Sequence, residues 1–540
     1  MDIRKKPDIQ QSLRHLTSAA VFMSLLLGCT RGEAQTASDP ELTRLQGVVY
    51  EDENRNGVRD EREKGLARVR VSNGRDVVLT DVRGRWFLDA RPDDTIFVIK
   101  PRHWIPPLDQ DGLPQFSYVH NPKGSPADLD YEGVAPTPED PGVIYFPLYR
   151  NPIEEEGDFK VVLMGDPQSR DLTEVDYLAR DIAEPLVGTE ASFGVGLGDL
   201  VFDDLDILPA HNTVMGRTGI PWFNVYGNHD MNFDVAEDAL ADETWQRIYG
   251  PATYSFDWAT AHFIVLDNVY YEGNGKYRGE FTEDVLEFVE SDLEHIGKQT
   301  LVVLLMHIPL SGVRNADELL RLIADRPNTV SFAAHYHFQK HQFIDFPSDT
   351  NRAEPHHHLI NSTASGSWWK GAPDEYGIPH TMMRCGAPNG HTMLGIRDFD
   401  YELRFVPAGF DDDQQMHVFL PGSIPQSKVA QTEVVANIWF GSSRSNVRMR
   451  VDEGPWMTMR RDARPDPYFE MAKLSESING QTRGRPMPDP SQSSHIWVAT
   501  LPDDLPPGGH IVEVESTDMF GNVDHGHRIF RVTPEANSNR

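Results

Sequence analysis

The chain has 540 residues, of which 39% are hydrophobic and 10% aromatic, so it is globular but too long for one core, and about three domains are expected. Its formal net charge of −33 and its pI near 4.9 exclude nucleic-acid duplexes as expected partners, because their phosphates attract Lys and Arg.

Residues 1–29 have the pattern of an export signal. A basic start precedes the apolar run TSAAVFMSLLLG, which is too short to span a membrane as a mature helix. The run ends in Leu-Leu-Gly-Cys29 and resembles a bacterial lipoprotein signal, which implies that Cys29 carries lipid and anchors the chain in the membrane. The alternative is an ordinary secretory signal with an incidental cysteine. We therefore expect an exported protein of the bacterial cell envelope, periplasmic or on the outer surface, with residues 30–44 as a flexible tether.

Residues 45–104 predict a small β module. Short alternating strands such as ARVRVSN and GRWFLDA are separated by Gly, Asn and Asp, and they resemble extracellular β-sandwich modules of the prealbumin-like kind. A turn in this module has the oxygen spacing of a calcium loop, although strands flank it where an EF-hand has helices. The segment either binds a calcium ion or forms an Asn/Gly turn without an ion, and the sequence does not decide between these interpretations. The possible calcium ligands are Asp52, Asn54, Asn56, Asp60 and Glu63.

Residues 105–157 are rich in proline and predict a stiff connection draped over the next domain. From residue 158 to 345, strands alternate with helical patterns over Leu172–Leu186 and Thr282–Ile296, with Thr282 as a candidate N-cap. This alternation predicts a layered α/β core with mostly parallel central strands. The neighbouring runs TYSFDW and AHFIVLDN predict an antiparallel pair in a second sheet.

Five predicted strands of this domain end in polar residues. The carboxyl ends of parallel strands meet at one edge of a sheet, so we expect these side chains to share a site. Carboxylates, amides and imidazoles bind divalent cations, and they outnumber what one ion can use, so two ions are predicted. The site residues are Asp166, Gln168, Asp199, Asp203, Asn228, His229, Asp230, His307, His335 and His337.

These blocks resemble the calcineurin-like metallophosphoesterase family. The family pattern is Asp-x-His, Gly-Asp-x-x-Asp, Gly-Asn-His-Asp/Glu, a lone His and Gly-His-x-His, and the resemblance covers residues 158–345. It implies an α/β fold, a layered metallophosphoesterase β-sandwich with flanking helices. Three departures stand out: Gln168 occupies the place of a His, Ala334 that of a Gly, and Asp203 lies one residue later than the commonest spacing.

The resemblance also implies a role for each residue. Asp199 would bridge the two ions. The remaining ligands would be Asp166, Gln168 and His337 for the first ion, and Asn228, His307 and His335 for the second. His229 would sit beside the leaving group and protonate it, oriented by either Asp203 or Asp230.

Such a centre implies hydrolysis of a phosphate ester by a hydroxide held between the metals. The expected substrate is an extracytoplasmic phosphorylated small molecule, nucleotide or lipid headgroup. The Gln168 amide oxygen is a harder donor than imidazole, which favours manganese, while magnesium, iron and zinc stay open. The sequence does not distinguish a phosphomonoesterase from a phosphodiesterase, and it does not determine the oligomeric state. The alternative is a surface-anchored binding protein with a vestigial metal centre, but a binding protein does not need the non-ligand His229.

Residues 346–535 predict a mainly β domain that resembles the C-terminal region of one bacterial group of the same family. Trp368 and Trp369 either line the substrate pocket or, as is commoner for paired Trp in a strand, belong to the core. The run His356–His358 has the composition of a metal tract, but its place at a strand start predicts surface side chains instead.

Overall fold

Two four-stranded sheets build the first part of the computed structural model, which describes residues 42–151, 157–479 and 484–535. The strands are β1 (Thr43–Glu51), β2 (Arg70–Ser72), β3 (Val77–Leu79), β4 (Arg85–Ala90), β5 (Asp94–Val98), β6 (Trp104–Ile105), β7 (Ser117–His120) and β8 (Val143–Arg150). One sheet has the order β4-β1-β8-β6 and the other β3-β2-β5-β7. Buried residues of both sheets, Val49 and Trp86 in one and Val71 and Ile96 in the other, share one core.

The boundary of this module differs from the prediction. β7 and β8 lie within residues 105–157, the segment predicted as a connection, and β8 pairs in parallel with β1. Such pairing joins segments far apart in the chain, so local patterns do not show it. The part of the segment between β7 and β8 does contact the next domain: Ser125 donates to Glu243, and the Tyr131 hydroxyl donates to the Asp203 carbonyl oxygen at 3.1 Å.

Two larger sheets form the central domain. Their strands and an adjoining hairpin are β9 (Asp158–Met164), β10 (Phe193–Gly196), β11 (Trp222–Asn224), β12 (Tyr254–Trp258), β13 (Ala261–Leu266), β14 (Val269–Gly273), β15 (Lys276–Gly279), β16 (Leu301–Met306), β17 (Thr329–Ala333), β18 (Lys340–Ile344), β19 (His356–Ile360), β20 (Gly390–Arg397) and β21 (Asp400–Pro407). The orders are β11-β10-β9-β20-β21 and β12-β13-β16-β17-β19-β18. β9 to β11 are mutually parallel, as are β13, β16, β17 and β19, and β12 and β13 form the predicted antiparallel pair. The predicted α/β class is confirmed.

Short helices flank these sheets. They are α1 (Leu172–Leu178), α2 (Glu184–Leu186), α3 (Leu208–Gly216), α4 (Glu243–Tyr249), α5 (Glu283–Leu293) and α6 (Ala316–Ile323), with α7 (Pro467–Asn479) further along. A π-helical turn, Ala179–Ala183, joins α1 to α2, so helical structure covers the predicted range. The Thr282 side chain accepts the Val285 N–H, which confirms the predicted cap of α5. Within the described residues, none of the helices has the length and apolar content to cross a bilayer.

The central sheets also extend past the predicted boundary between residues 345 and 346. β19 lies between β17 and β18, and β20 pairs antiparallel with β9. Without β20, one edge of β9 would expose unpaired backbone groups, so the returning chain completes the sheet. The separate C-terminal sheets begin only after Pro407.

Two β-sheets form the C-terminal part, as predicted from its mainly β pattern. The strands are β22 (Met416–Phe419), β23 (Ser423–Pro425), β24 (Glu433–Ile438), β25 (Asn446–Val451), β26 (Met457–Thr458), β27 (Arg460–Arg461), β28 (Ile496–Thr500), β29 (Gly508–Thr517) and β30 (Val523–Thr533). Their orders are β22-β24-β28-β27 and β23-β30-β29-β25-β26. The two sheets enclose a core with Trp497, Val512 and Phe530.

A buried charge network ties the N-terminal module to the central domain. Arg70 of β2 donates to Asp292 of α5 and to Asp257 of β12, each at 2.6 Å. The His262 ring bridges the same carboxylates at 2.8 and 2.9 Å. Burial raises the pKa of Asp257, but Arg70 and His262 outweigh it and lower that pKa to about 2. The module is therefore docked on the domain that carries the site.

Candidate active site

The five predicted strand ends converge where the two central sheets meet. In one sheet β9 leads to Asp166, β10 to Asp199 and β11 to Asn228; in the other β16 leads to His307 and β17 to His335. The His307 Nε2 atom lies 3.2 Å from Asp199 Oδ1, across the two sheets. The backbone N–H of His335 donates to both carboxylate oxygens of Asp166, at 2.9 and 3.1 Å. The structure thus brings the strand ends into one buried site.

Acceptor atoms crowd around His307. Its Nδ1 lies 2.8 Å from the Leu197 carbonyl oxygen, so Nδ1 carries a proton and Nε2 faces the site. Nε2 lies 3.1 Å from Asn228 Oδ1 and 3.2 Å from His335 Nδ1. Burial lowers the pKa of His307, but the negative charge of Asp199 has the larger effect and raises this pKa to about 9. The proton on His307 therefore compensates the charge of the Asp199 carboxylate, as a metal ion would. Asp199, His307 and His335 each place a ligand atom within 4.8 Å of the other two.

Two acceptor atoms at the site are buried without a hydrogen-bond partner in the described part of the chain. Gln168 donates its Nε2 hydrogen to Asp199 Oδ2 at 2.6 Å, which leaves Oε1 unpaired. His337 donates from Nδ1 to the Gly366 carbonyl oxygen at 2.6 Å, which leaves Nε2 unpaired and 3.8 Å from Asp166 Oδ1. Burial lowers the pKa of His337 to about 3, so the ring is neutral and Nε2 offers a lone pair. Unpaired buried acceptors are costly, and a divalent cation satisfies them, so these residues fit a metal centre.

Much of the site has left-handed backbone conformation, which L residues adopt rarely and at a cost. The φ angles are 40° for Asp166, 43° for Gln168, 52° for Asp199, 67° for Asp203, 70° for His335 and 53° for His337. The loops are short turns directly after buried strands, and the packed sheets hold them in place. Several strained positions therefore lie on residues that aim polar atoms into the site.

His229 forms a dyad with Asp203. The Nδ1 atom of His229 lies 2.6 Å from Asp203 Oδ1. Asp230, the other carboxylate that the sequence left open, instead accepts the backbone N–H groups of Val201 and Gly227, both at 3.1 Å. Burial lowers the pKa of His229, but the carboxylates of Asp199 and Asp203 have the larger effect, and the pKa is raised. Asp203 therefore orients His229, and Asp230 braces the loop that carries it.

The two tryptophans have different environments. Trp369 is buried, and its Nε1 donates to the Pro167 carbonyl oxygen at 2.8 Å, so it belongs to the core. Trp368 is half-buried, with its ring centroid 4.0 Å from that of His337. Its ring lies against a proposed metal ligand, and a role of Trp368 in the substrate pocket stays a prediction.

The prediction that His356–His358 lie on the surface is wrong, because all three are buried. They are the first three residues of β19, which lies between β17 and β18 in the sheet. His356 and His358 both contact Ser331 Oγ at 2.7 Å, and His357 contacts the Tyr401 hydroxyl at 2.6 Å. The run is a hydrogen-bonded part of the core.

The possible calcium loop is closed by its own hydrogen bonds. Asp52 accepts the backbone N–H groups of Asn56 and Gly57 at 3.3 and 2.9 Å, and Asn54 donates to Asp60 at 2.7 Å. Glu63 accepts the Asp60 N–H at 2.9 Å. The described contacts are those of an Asx-type turn, and calcium binding stays a prediction.

Cationic and aromatic residues at the rim were missed in the sequence. Arg170, Phe202, Lys370 and Arg485 lie beside the dyad and Trp368. Arg170 lies two residues after Gln168, and Phe202 directly precedes Asp203, so their proximity to predicted site residues was a usable signal. The sequence around Arg485 does not indicate a place at the site, because Arg485 reaches the site from the C-terminal part of the chain.

The chain matches two family models, one for the N-terminal part of calcineurin-like phosphoesterases over residues 53–135 and one for their C-terminal part over residues 358–523. Purple acid phosphatase PPD1 from yellow lupin (Lupinus luteus) seeds is a structural neighbour with 12% identity and a TM-score of 0.34; the match covers 62% of this chain and 66% of that chain. CopC from Methylosinus trichosporium OB3b has 14% identity and a TM-score of 0.13, over 22% of this chain and 98% of that chain. No curated protein matches the chain.

The two family models flank the segment that contains most of the metal-site residues. That segment places Asp199, His307 and His335 together as a possible metal-binding cluster. Both family models and this cluster support the calcineurin-like phosphoesterase family and metal-dependent phosphoester hydrolysis for this chain.

Proposed function

We propose that the chain hydrolyses an extracytoplasmic phosphorylated small molecule, nucleotide or lipid headgroup with two divalent cations. The observation that carries this proposal is the set of buried ligand atoms that face one another in the site. Gln168 Oε1 and His337 Nε2 would serve the first ion, and Asn228 Oδ1 and the two rings of His307 and His335 the second. When bound, the cations supply positive charge to the phosphoryl oxygens and a hydroxide nucleophile at neutral pH.

His229 supplies the acid for this reaction. The oxygen of water bonds to phosphorus while the bond to the leaving oxygen breaks, and the leaving oxygen takes a proton. Asp203 engages Nδ1 of His229, so Nε2 is the atom available to give that proton. A binding protein with a vestigial metal centre needs no such dyad, which favours the enzyme over that alternative.

Manganese is the proposed metal, with magnesium, iron and zinc as the alternatives that an assay separates. The Gln168 amide is held by its nitrogen on Asp199, so its oxygen, a hard donor, is left for the ion. This orientation is the one that a glutamine ligand requires. For the loop around Asp52, calcium is the ion that would fit the oxygen spacing.

Metal replacement tests the proposal. We expect chelation to abolish turnover of p-nitrophenyl phosphate or of bis(p-nitrophenyl) phosphate, and Mn²⁺ to restore it best. The ratio of the two rates identifies a monoesterase or a diesterase. Full turnover of either ester by a protein shown to contain no metal would contradict the proposal.

We also propose that the protein is held in the cell envelope by a lipid on Cys29, which lies outside the described residues. Cys29→Ser should release the protein from membrane fractions or block its processing. Fractionation and the mass of the mature chain measure this. A variant that stays in the membrane with the wild-type mature mass would show that Cys29 carries no anchor.

A further inference from the structure

We propose that the substrate carries a second anionic group on its leaving part, and that Arg170 and Lys370 bind this group beside the metal centre. The inference rests on the proposed function and specifies its substrate class. The second group is a phosphate or a carboxylate, because both present oxygens that accept from guanidinium and ammonium groups.

Arg170 lies next to the dyad that serves the leaving group. Its Cζ atom is 3.9 Å from the centroid of the Phe202 ring. Phe202 stacks in turn on His229, with centroids 4.3 Å apart and planes inclined by 23°. One aromatic ring therefore separates the guanidinium from the proposed acid. A group bound by Arg170 belongs to the part of the substrate that departs with the proton from His229.

Lys370 is separated by one aromatic ring from His337, a proposed ligand of the first metal ion. Its Nζ atom is 4.9 Å from the centroid of the Trp368 ring, and Trp368 packs on His337 with centroids 4.0 Å apart. Lys370 is half-buried and makes no ion pair with a carboxylate of the described residues. Its ammonium group is therefore available to a ligand.

The two stacks meet at the backbone of Trp368. Its carbonyl oxygen accepts from Arg170 at 3.2 Å and from Arg485 at 2.8 Å. The buried carboxylate Glu174 accepts from both arginines. Burial lowers the pKa of Lys370, and the nearby Arg170 and Arg485 lower it further, so the three cations share one region.

The charges of this region do not balance. Glu174 is shared by two arginines, and Asp203 is engaged by His229, so Lys370 is left without compensation. The chain as a whole is strongly acidic, with a formal net charge of −33. A positive rim at the metal centre of such a protein is a site for an anion. Bound metals would neutralise the transferred phosphoryl group, so the cationic rim is left for a second group.

Matched substrates test the proposal. We would measure phosphate release from propyl phosphate, propane-1,3-diol bisphosphate and 3-(phosphonooxy)propanoate by the wild-type enzyme and by Lys370→Met. The wild type should prefer a bifunctional substrate over propyl phosphate by about tenfold or more in kcat/KM, the size expected for a hydrogen bond between charged groups. Lys370→Met should reduce that ratio by about tenfold, and Lys370→Arg should restore part of it. The bifunctional substrate with the larger increase in kcat/KM over propyl phosphate identifies the second group as a phosphate or a carboxylate.

Lys298→Met is the control, because Lys298 is exposed and pairs with Asp325 on the surface. Lys298→Met should leave the ratio of kcat/KM between a bifunctional substrate and propyl phosphate unchanged. In the wild type, this ratio should decrease at high ionic strength, because salt screens the charges. Equal kcat/KM for all three substrates in the wild type, or an equal loss on all three in a folded Lys370→Met variant, would overturn the proposal.

Binding separates this proposal from the phosphoesterase function itself. If the wild type hydrolyses none of the esters, the proposed function fails, and calorimetry with the metal-loaded protein still tests the subsite. The wild type should bind 2-carboxyethylphosphonate about tenfold more tightly than ethylphosphonate, and Lys370→Met should lose that difference. Equal affinities of the wild type for ethylphosphonate, 2-carboxyethylphosphonate and ethane-1,2-diylbisphosphonate would show that no second anion is bound.

Discussion

Asp199→Asn is expected to abolish nearly all activity, with a loss of roughly 10³-fold or more, and to remove much of the bound metal. Asp199 is 1% exposed and lies at the centre of the site. Its Oδ1 is 3.2 Å from His307 Nε2, and its Oδ2 accepts from Gln168. A carboxylate offers negative charge to two cations, whereas an amide offers one neutral oxygen. Metal content and kcat/KM, measured on the same preparation, check both effects.

Asp206→Asn is the matched control for this experiment. Asp206 is exposed and lies in the short 3₁₀ helix Leu205–Ile207 after the same strand end, so the same change of charge occurs outside the site. The control should keep both metal and activity. An Asp199→Asn protein with full metal content and wild-type rates would show that Asp199 does not bridge two ions.

His229→Ala should keep the metals but lose about 10²-fold or more in rate, because an acid is removed while the proposed ligands stay. The His229 side chain is 23% exposed, whereas those of Asp199 and His307 are at most 1% exposed. Asp203→Asn should cause a smaller loss, since the imidazole is kept but its Nδ1 partner is changed. Metal analysis and kcat for the three proteins give the measurement.

The dependence on the leaving group distinguishes an acid from a structural residue. The loss in His229→Ala should be larger for an alkyl phosphate, whose leaving oxygen needs a proton, than for p-nitrophenyl phosphate, whose leaving group is stable as an anion. Equal losses on both esters, or a protein emptied of metal like Asp199→Asn, would mean that His229 is not the acid.

The positions of the strand ends and the polar residues that stand at them could be predicted because both depend on short-range patterns. A buried apolar run that stops at a turn and a polar residue, as at Asp166 or His307, specifies a strand end without reference to the rest of the chain. The cap at Thr282 is equally local. The family resemblance added which of these ends act together.

Domain boundaries depended on distant pairing instead. β8 completes a sheet with β1, and β20 completes one with β9, from segments that the sequence pattern assigned to a connection and to another domain. The burial of His356–His358 follows from the same cause, because β19 acquires neighbours on both sides only when the sheet forms.

At the site, the sequence by itself determined which residue types stand at each strand end, and the tertiary structure decided which of them touch. Asp203 and Asp230 are both acidic and both close to His229, but only Asp203 reaches its ring, since Asp230 is turned toward the N–H groups of Val201 and Gly227. Trp368 and Trp369 are identical neighbours that face the site and the core respectively. Side-chain direction depends on backbone angles and packing partners set by the whole fold, and local sequence does not encode them.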